Sequence, residues 1–209
     1  MPALSLFRDR RKKSMDSKYK LIVDSFGKDR FKFNEPLKHH TASGFGGPAK
    51  VFFIAFSTKE LIKIISMCRQ LGLTYFLYGS GSKIMISDLG FDGLVIKNRI
   101  KDIQTISVKG KVTKYGIGVD QAAIEAESGL SIKKFVEYLN AQNLETLEFL
   151  NLPGSIGGNL FLNKSLQNHT KSIKVLNLES EIIQIKVENL NPRKHIIISA
   201  VFKIKAKIK

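Results

Sequence analysis

Leu152-Pro153-Gly154-Ser155-Ile156-Gly157-Gly158 concentrates a proline and three glycines between apolar segments. Residues without bulk let a backbone pass flat against a large ligand, and the same composition also builds a compact turn between lobes. Upstream, Tyr78-Gly79-Ser80-Gly81-Ser82 interrupts an aromatic, strand-prone run. Small residues between strands let backbone N–H groups converge on an anion such as pyrophosphate, or simply close a tight turn. This loop misses the G-x-G-x-x-G dinucleotide fingerprint, because Ile84 stands at the third glycine position and no helix signal follows.

Between and around the two loops the patterning is mixed. Ala49 to Phe56 reads as a strand, and Ser57 with Glu60 forms a capping-box signature for a helix over Thr58 to Leu71, stopped by Gly72. Thr74 to Tyr78 and Lys83 to Ile86 read as strands flanking the small-residue loop. Gly93 to Lys97, Ile103 to Val108 and Val112 to Val119 add further strands. Ser131 can cap a helix whose Ile132, Phe135, Val136 and Leu139 share one face, with Asn143 near its exit. Beyond a turn at Pro153 to Gly158, Ile173 to Leu178 and Glu181 to Val187 resemble a hairpin, and Ile196 to Ile204 is a final strand. Lysines alternate with apolar residues from Phe202 to Lys209, as on a solvated strand face that discourages edge pairing.

Composition narrows the partners. The chain has 209 residues, 43% of them hydrophobic, which is enough for one large core or two small lobes around a ligand. No apolar run approaches the roughly 20 residues of a membrane span. The short apolar piece Ala3 to Phe7 precedes the basic run Arg8 to Lys13, the reverse of a secretory signal, so the cytoplasm is the expected location. The net charge of +16 suggests nucleic acid until it is divided along the chain: residues 1–20 and 191–209 together carry +11, leaving +5 for the body. With no RNA- or DNA-binding motif or aromatic stacking pattern beside the charge, nucleic acid ranks low as a partner. The single Cys68 lies among Leu61, Ile64, Ile65 and Leu71 and reads as a packed helix face rather than a reactive thiol. Neither it nor His39, His40, His169 and His195 fall at zinc-ligand spacings, and no metal site is expected.

Taken jointly with Pro36-Leu37-Lys38-His39-His40-Thr41, Gly46-Gly47-Pro48-Ala49, Phe91-Asp92-Gly93-Leu94-Val95-Ile96 and Leu147-Glu148-Phe149, the two loops resemble the FAD-binding region of the UDP-N-acetylenolpyruvoylglucosamine reductase (MurB) family. That family sits within the vanillyl-alcohol-oxidase or PCMH type of flavoprotein, and the resemblance covers about Asn34 to Ile204. It implies an α+β fold of two lobes with FAD held between them, divided here into a basic leader over residues 1–20, lobe 1 over 21–110 and lobe 2 over 111–209. By carry-over, Gly79, Ser80, Gly81 and Ser82 hold the pyrophosphate. Lys83 replaces the family's asparagine, where a cation can still pair with phosphate. Pro153, Gly154, Ser155, Gly157 and Gly158 line the cofactor from the other lobe, and Asn163 matches the asparagine after this loop.

The family's activity is that of a UDP-N-acetylmuramate dehydrogenase of peptidoglycan (cell-wall) precursor synthesis. NADPH reduces FAD, and the flavin then reduces the enolpyruvyl group of a UDP-sugar. Here Lys164-Ser165-Leu166-Gln167-Asn168 replaces the family's small-residue run, the tyrosine-arginine dipeptide before the last strand is missing, and Arg193 in Asn191-Pro192-Arg193-Lys194-His195 sits only three residues before Ile196. No catalytic residue is therefore assigned. The expected protein is a MurB-like flavoprotein, incomplete as a catalyst alone; the alternatives are a noncatalytic flavin-binding or interaction module, or part of a split reductase whose partner chain supplies the missing domain.

Overall fold

The structure is a computed structural model that describes residues 17–113 and 116–207. The first sixteen residues of the expected leader, and Ile208 and Lys209 of the alternating tail, lie outside the described residues. The elements run α1 (Ser17–Phe26), β1 (Phe31–Pro36), β2 (Pro48–Ala55), α2 (Thr58–Gln70), β3 (Tyr75–Tyr78), β4 (Phe91–Asn98), β5 (Ile103–Thr113), β6 (Gly116–Glu127), α3 (Ile132–Ala141), α4 (Ile156–Leu162), α5 (Lys164–Asn168), β7 (Thr170–Leu176), β8 (Ile182–Ile185) and β9 (Ile196–Lys205). The α+β expectation holds.

Two sheets organise these elements. The first has the order β1-β2-β4-β3, with β1 antiparallel to β2 and both β2 and β3 parallel to β4. Parallel pairing needs a crossover, and α2 supplies it between β2 and β3. The helix starts where Ser57 Oγ accepts the Glu60 N–H and stops at Gly72, whose φ of 61° suits a residue without a β-carbon. Leu61, Ile64, Ile65 and Cys68 recur at helical spacing and are wholly buried against the sheet, each burial being worth about 2 kcal/mol. Burial pushes the Cys68 thiol up to about 12, in keeping with a packing role.

The second sheet has the antiparallel order β5-β6-β9-β7-β8. Its inner face packs Ile124, Ala200, Phe202 and Ile204 against Phe135 and Leu139 of α3 and Ile156 and Leu160 of α4. At the start of β9 the opposite face is buried too, because Ile198 and Leu176 join the first sheet's core. That shared core ties the sheets together and leaves their loops facing each other.

Several expectations change. The β9 lysines do not guard an edge: β9 is the middle strand of its sheet, and Lys203 and Lys205 are exposed because the core lies on the other face. Lys83 to Ile86 is not a strand; Ile84 and Ile86 pack irregularly against the cluster of Leu37, Phe52, Tyr78 and Val95. The turn expected over Pro153 to Gly158 ends early, since α4 begins at Ile156 and includes Gly157 and Gly158. The first sheet closes at Asn98 and the second opens at Ile103, so the sheets divide at residues 99–102 rather than at 110. Helix α1 begins at Ser17, inside the expected leader, and buries Tyr19, Ile22 and Val23 in the first core.

Candidate functional site

The loop after β3 and the loop before α4 face one another across the junction of the sheets. A β-carbon built on Gly79 would collide with Ser155 Oγ, and one on Gly154 would stand 3.0 Å from Ser82 Oγ and 3.6 Å from Ser80 Oγ. Gly154 also takes a φ of 107°, which side-chain-bearing residues avoid. Gly81 has a φ of 78°, and its β-carbon would strike the His40 carbonyl, while its own carbonyl accepts the Ala42 N–H at 3.0 Å. The segment after β1 therefore braces the first loop from behind. Within that loop Ser80 Oγ and Ser82 Oγ are 3.0 Å apart and hydrogen-bonded, either hydroxyl being able to donate.

In the second loop the Ile156 N–H donates to the Leu130 carbonyl and the Gly157 N–H to the Ser128 carbonyl, each at 2.8 Å. Those two groups are bound to backbone and do not serve an anion. Their bonds instead anchor the loop to the end of β6, where Ser128 Oγ also accepts from Asn98 Nδ2 at 2.8 Å.

A cavity of about 840 Å³ opens between the loops. Of the residues that the resemblance assigns to the cofactor, Gly79, Ser80, Gly81, Ser82, Lys83, Gly154, Ser155, Gly157 and Gly158 line it; Pro153 and Asn163 do not. The Pro153 carbonyl turns inward to accept from Asn159 Nδ2 at 2.9 Å, and Asn163 caps α5 by accepting the Leu166 N–H at 3.2 Å. The cavity also runs along β3, an edge strand, and Tyr75 to Tyr78 contribute to its lining. Phe161, Leu162, Leu178 and Ile196 give it apolar surface. Among the described lining residues are Arg69, Lys83, Arg193 and Lys194, and no Asp or Glu.

Sequence reasoning missed Asn159, which is fully buried and lies behind the second loop. Its Nδ2 donates to the carbonyls of Pro153 and Ser155, and its Oδ1 accepts from Lys83 Nζ at 2.6 Å. The signal was present: Ile156, Asn159 and Leu160 share one buried helix face, and an asparagine in that stripe calls for partners. Lys83, expected beside a phosphate, points at this amide. Desolvation holds its pKa below the ordinary lysine value. Tyr78 is buried with its hydroxyl unpartnered among the described residues, and desolvation followed by the Glu35 charge raises its pKa.

A family profile described as FAD binding domain matches residues 49–177, from the start of β2 to just past β7. The chain belongs to the FAD binding domain family. Both glycine loops fall inside the matched span. Among curated proteins, the UDP-N-acetylenolpyruvoylglucosamine reductase of Clostridium tetani is 28% identical over 202 residues, covering 88% of this chain and 60% of the relative. That of Lachnoclostridium phytofermentans is 31% identical over 169 residues, covering 78% and 52%. The chain thus spans about half the length of the curated relatives it matches.

Solved structures of this FAD binding domain fold agree. The Thermus caldophilus UDP-N-acetylenolpyruvylglucosamine reductase (MurB) superposes with a TM-score of 0.61 at 19% identity, over 83% of this chain and 62% of that one. An alkyldihydroxyacetonephosphate synthase superposes with a TM-score of 0.60 at 14% identity, over 99% and 44%. The chain therefore has the FAD binding domain fold, similar to that of its MurB relatives.

Proposed function

We propose that the cavity between the sheets holds FAD, with the pyrophosphate at Gly79 to Ser82 and the flat ring systems along the Gly154 to Gly158 segment and the edge of β3. The carrying observation is the lining: two small-residue loops meet across a space with Arg69, Lys83, Arg193 and Lys194 and no described carboxylate. A pyrophosphate brings negative charge into a partly desolvated place, where cations and backbone N–H groups lower its cost. The cradle fits, since a β-carbon at Gly79 or Gly154 would fill the gap. When bound, the flavin supplies hydride transfer, and the chain supplies the clamp and the orientation.

By likeness to its curated relatives, the flavin here serves a MurB-type reduction of a UDP-sugar enolpyruvate with NADPH as donor, within a larger assembly or a longer chain. None of the described cavity residues is assigned as the proton donor, so the FAD-loaded chain alone is expected to turn over UDP-N-acetylglucosamine enolpyruvate very poorly. General acid catalysis alone commonly contributes about 10²–10⁴-fold. A second reading, a noncatalytic flavin-binding module, gains support from α5, which replaces a small-residue run with a capped helix beside the loop.

The test is direct. Heat release followed by mass spectrometry of the purified protein should yield FAD. FMN alone, or no flavin after reconstitution, rejects the pyrophosphate assignment. A steady-state assay with NADPH and the UDP-sugar then separates the readings: rapid turnover by this chain alone rejects the incomplete-catalyst reading, and rescue by a second chain favours a split reductase.

A further inference from the structure

Lys83 and Asn159 come from opposite sides of the cavity and form one polar chain. Asn159 sits in the first turn of α4, wholly buried, and both of its side-chain polar atoms have partners. Both amide hydrogens reach carbonyls of its own loop, Pro153 at 2.9 Å and Ser155 at 3.0 Å, which orients Oδ1 outward to the only cation that meets it among the described residues, Lys83 at 2.6 Å. The two carbonyls bracket Gly154, whose backbone has a φ of 107°. A β-carbon at Gly154 would also lie 3.2 Å from Asn159 Nδ2, so amide and turn are in close packing. A residue held in that backbone region persists only where its surroundings fix it.

We propose that Lys83 is a positioning residue: by holding the Asn159 amide it fixes the Pro153–Ser155 turn against the Gly79–Ser82 loop, and so sets the width of the cofactor gap. It acts through Asn159 rather than as a phosphate ligand. The inference rests on the FAD reading for its functional consequence, but its structural part stands on the loop alone. Removing the ammonium leaves Asn159 Oδ1 buried without a donor, a defect that is relieved by turning the amide and releasing the Pro153 and Ser155 carbonyls.

The experiment has two arms. In the first, amide hydrogen exchange is measured on the protein stripped of flavin. Lys83→Met should speed exchange by about tenfold or more at Ile132, which donates to the Gly154 carbonyl, and at Asn159, while leaving the α2 amides unchanged. Lys83→Arg, which keeps a donor, should restore parental rates. Unchanged exchange in Lys83→Met overturns the proposal.

In the second arm, FAD affinity is titrated in Lys83→Met, Asn159→Ala and the double variant. Action through Asn159 predicts that each single change weakens FAD about tenfold and that the double variant is no weaker than the worse single one. Losses that multiply in the double variant mean a direct phosphate contact and overturn the proposal. If Asn159→Ala does not fold, the contrast between Lys83→Met and Lys83→Arg in both arms decides. A parent chain that binds no FAD defeats the FAD reading, and the exchange arm, which needs no cofactor, still judges the role of Lys83 in the loop.

Discussion

Gly79, at the end of β3, lies so close to Ser155, at the start of α4, that the first has no room for a β-carbon while the second keeps its hydroxymethyl group. The contact joins two loops that are far apart in sequence, one after β3 and one before α4, and it narrows the cavity at the point where they meet.

Gly79→Ala should therefore push the loops apart without straining its own backbone, since Gly79 is not among the positive-φ glycines. FAD affinity should fall by about tenfold or more, and Ser155→Gly in the same chain should return most of it by removing the atom that clashes. Titration by quenching of flavin fluorescence checks this; an additive loss in the pair would show that the contact does not set the gap.

Gly81 is a poor probe of the same loop, although charge placed beside a phosphate is the natural test. Any side chain at Gly81 meets the His40 carbonyl and adopts a φ of 78°, so Gly81→Asp should cost about 1–3 kcal/mol of folding stability before it touches a ligand. Ser80→Asp carries the charge without that strain. It should leave the urea midpoint nearly unchanged and weaken FAD markedly, an outcome reversed only if the loop lies outside the anion site.

Helix α1 supplies a third prediction, concerning the boundary of the folded unit. Because Tyr19, Ile22 and Val23 are buried in the first core, removing residues 1–20 should destabilise the protein, whereas removing residues 1–16 should leave the helix whole. Ile22→Ala should cost about 2–4 kcal/mol by chemical denaturation. Equal stability of the two truncations would place α1 outside the cooperative core.

The elements that were legible from sequence are those whose signals are local. Ser57 and Ser131 cap α2 and α3 as expected, each accepting the N–H three residues on, and the apolar stripes of both helices reach the core. The two glycine loops were legible as candidates, and their joint order as a family resemblance. What could not be read was long-range: that β9 is central rather than an edge depends on β6 and β7 pairing to its two sides. The Lys83–Asn159 bond spans 76 positions, and neither residue alone signals the other. The α4 start was hidden for a different reason, since Gly157 and Gly158 have low helix propensity and are held by the Ser128 carbonyl and by packing of Ile156 and Leu160.

The last prediction is a loss of stability in acid, traceable to three carboxylates held below their ordinary value of 4.5. Glu60 is lowered by its hydrogen bond from Arg30 at 2.6 Å, against the opposing effect of burial, with help from the Phe56 N–H at 2.9 Å. Glu125 is lowered by Lys174 at 2.8 Å, again against burial, and by Ser199 at 2.9 Å. Burial pushes Glu35 upward, but His40 and Lys32 together outweigh it. A carboxyl whose folded pKa is depressed binds its proton more readily in the unfolded chain. Its contribution is therefore complete above about pH 5 and lost as pH falls from 4.5 through the folded values. Stability measured by urea denaturation should stay nearly level from pH 7 to 5 and decline below 4.5. Glu60→Gln should cost about 0.5–1 kcal/mol at pH 7, since Arg30 is partly exposed and screened, and should make the acid decline shallower. An acid decline of unchanged steepness in Glu60→Gln would mean that the Arg30 pair does not couple to folding.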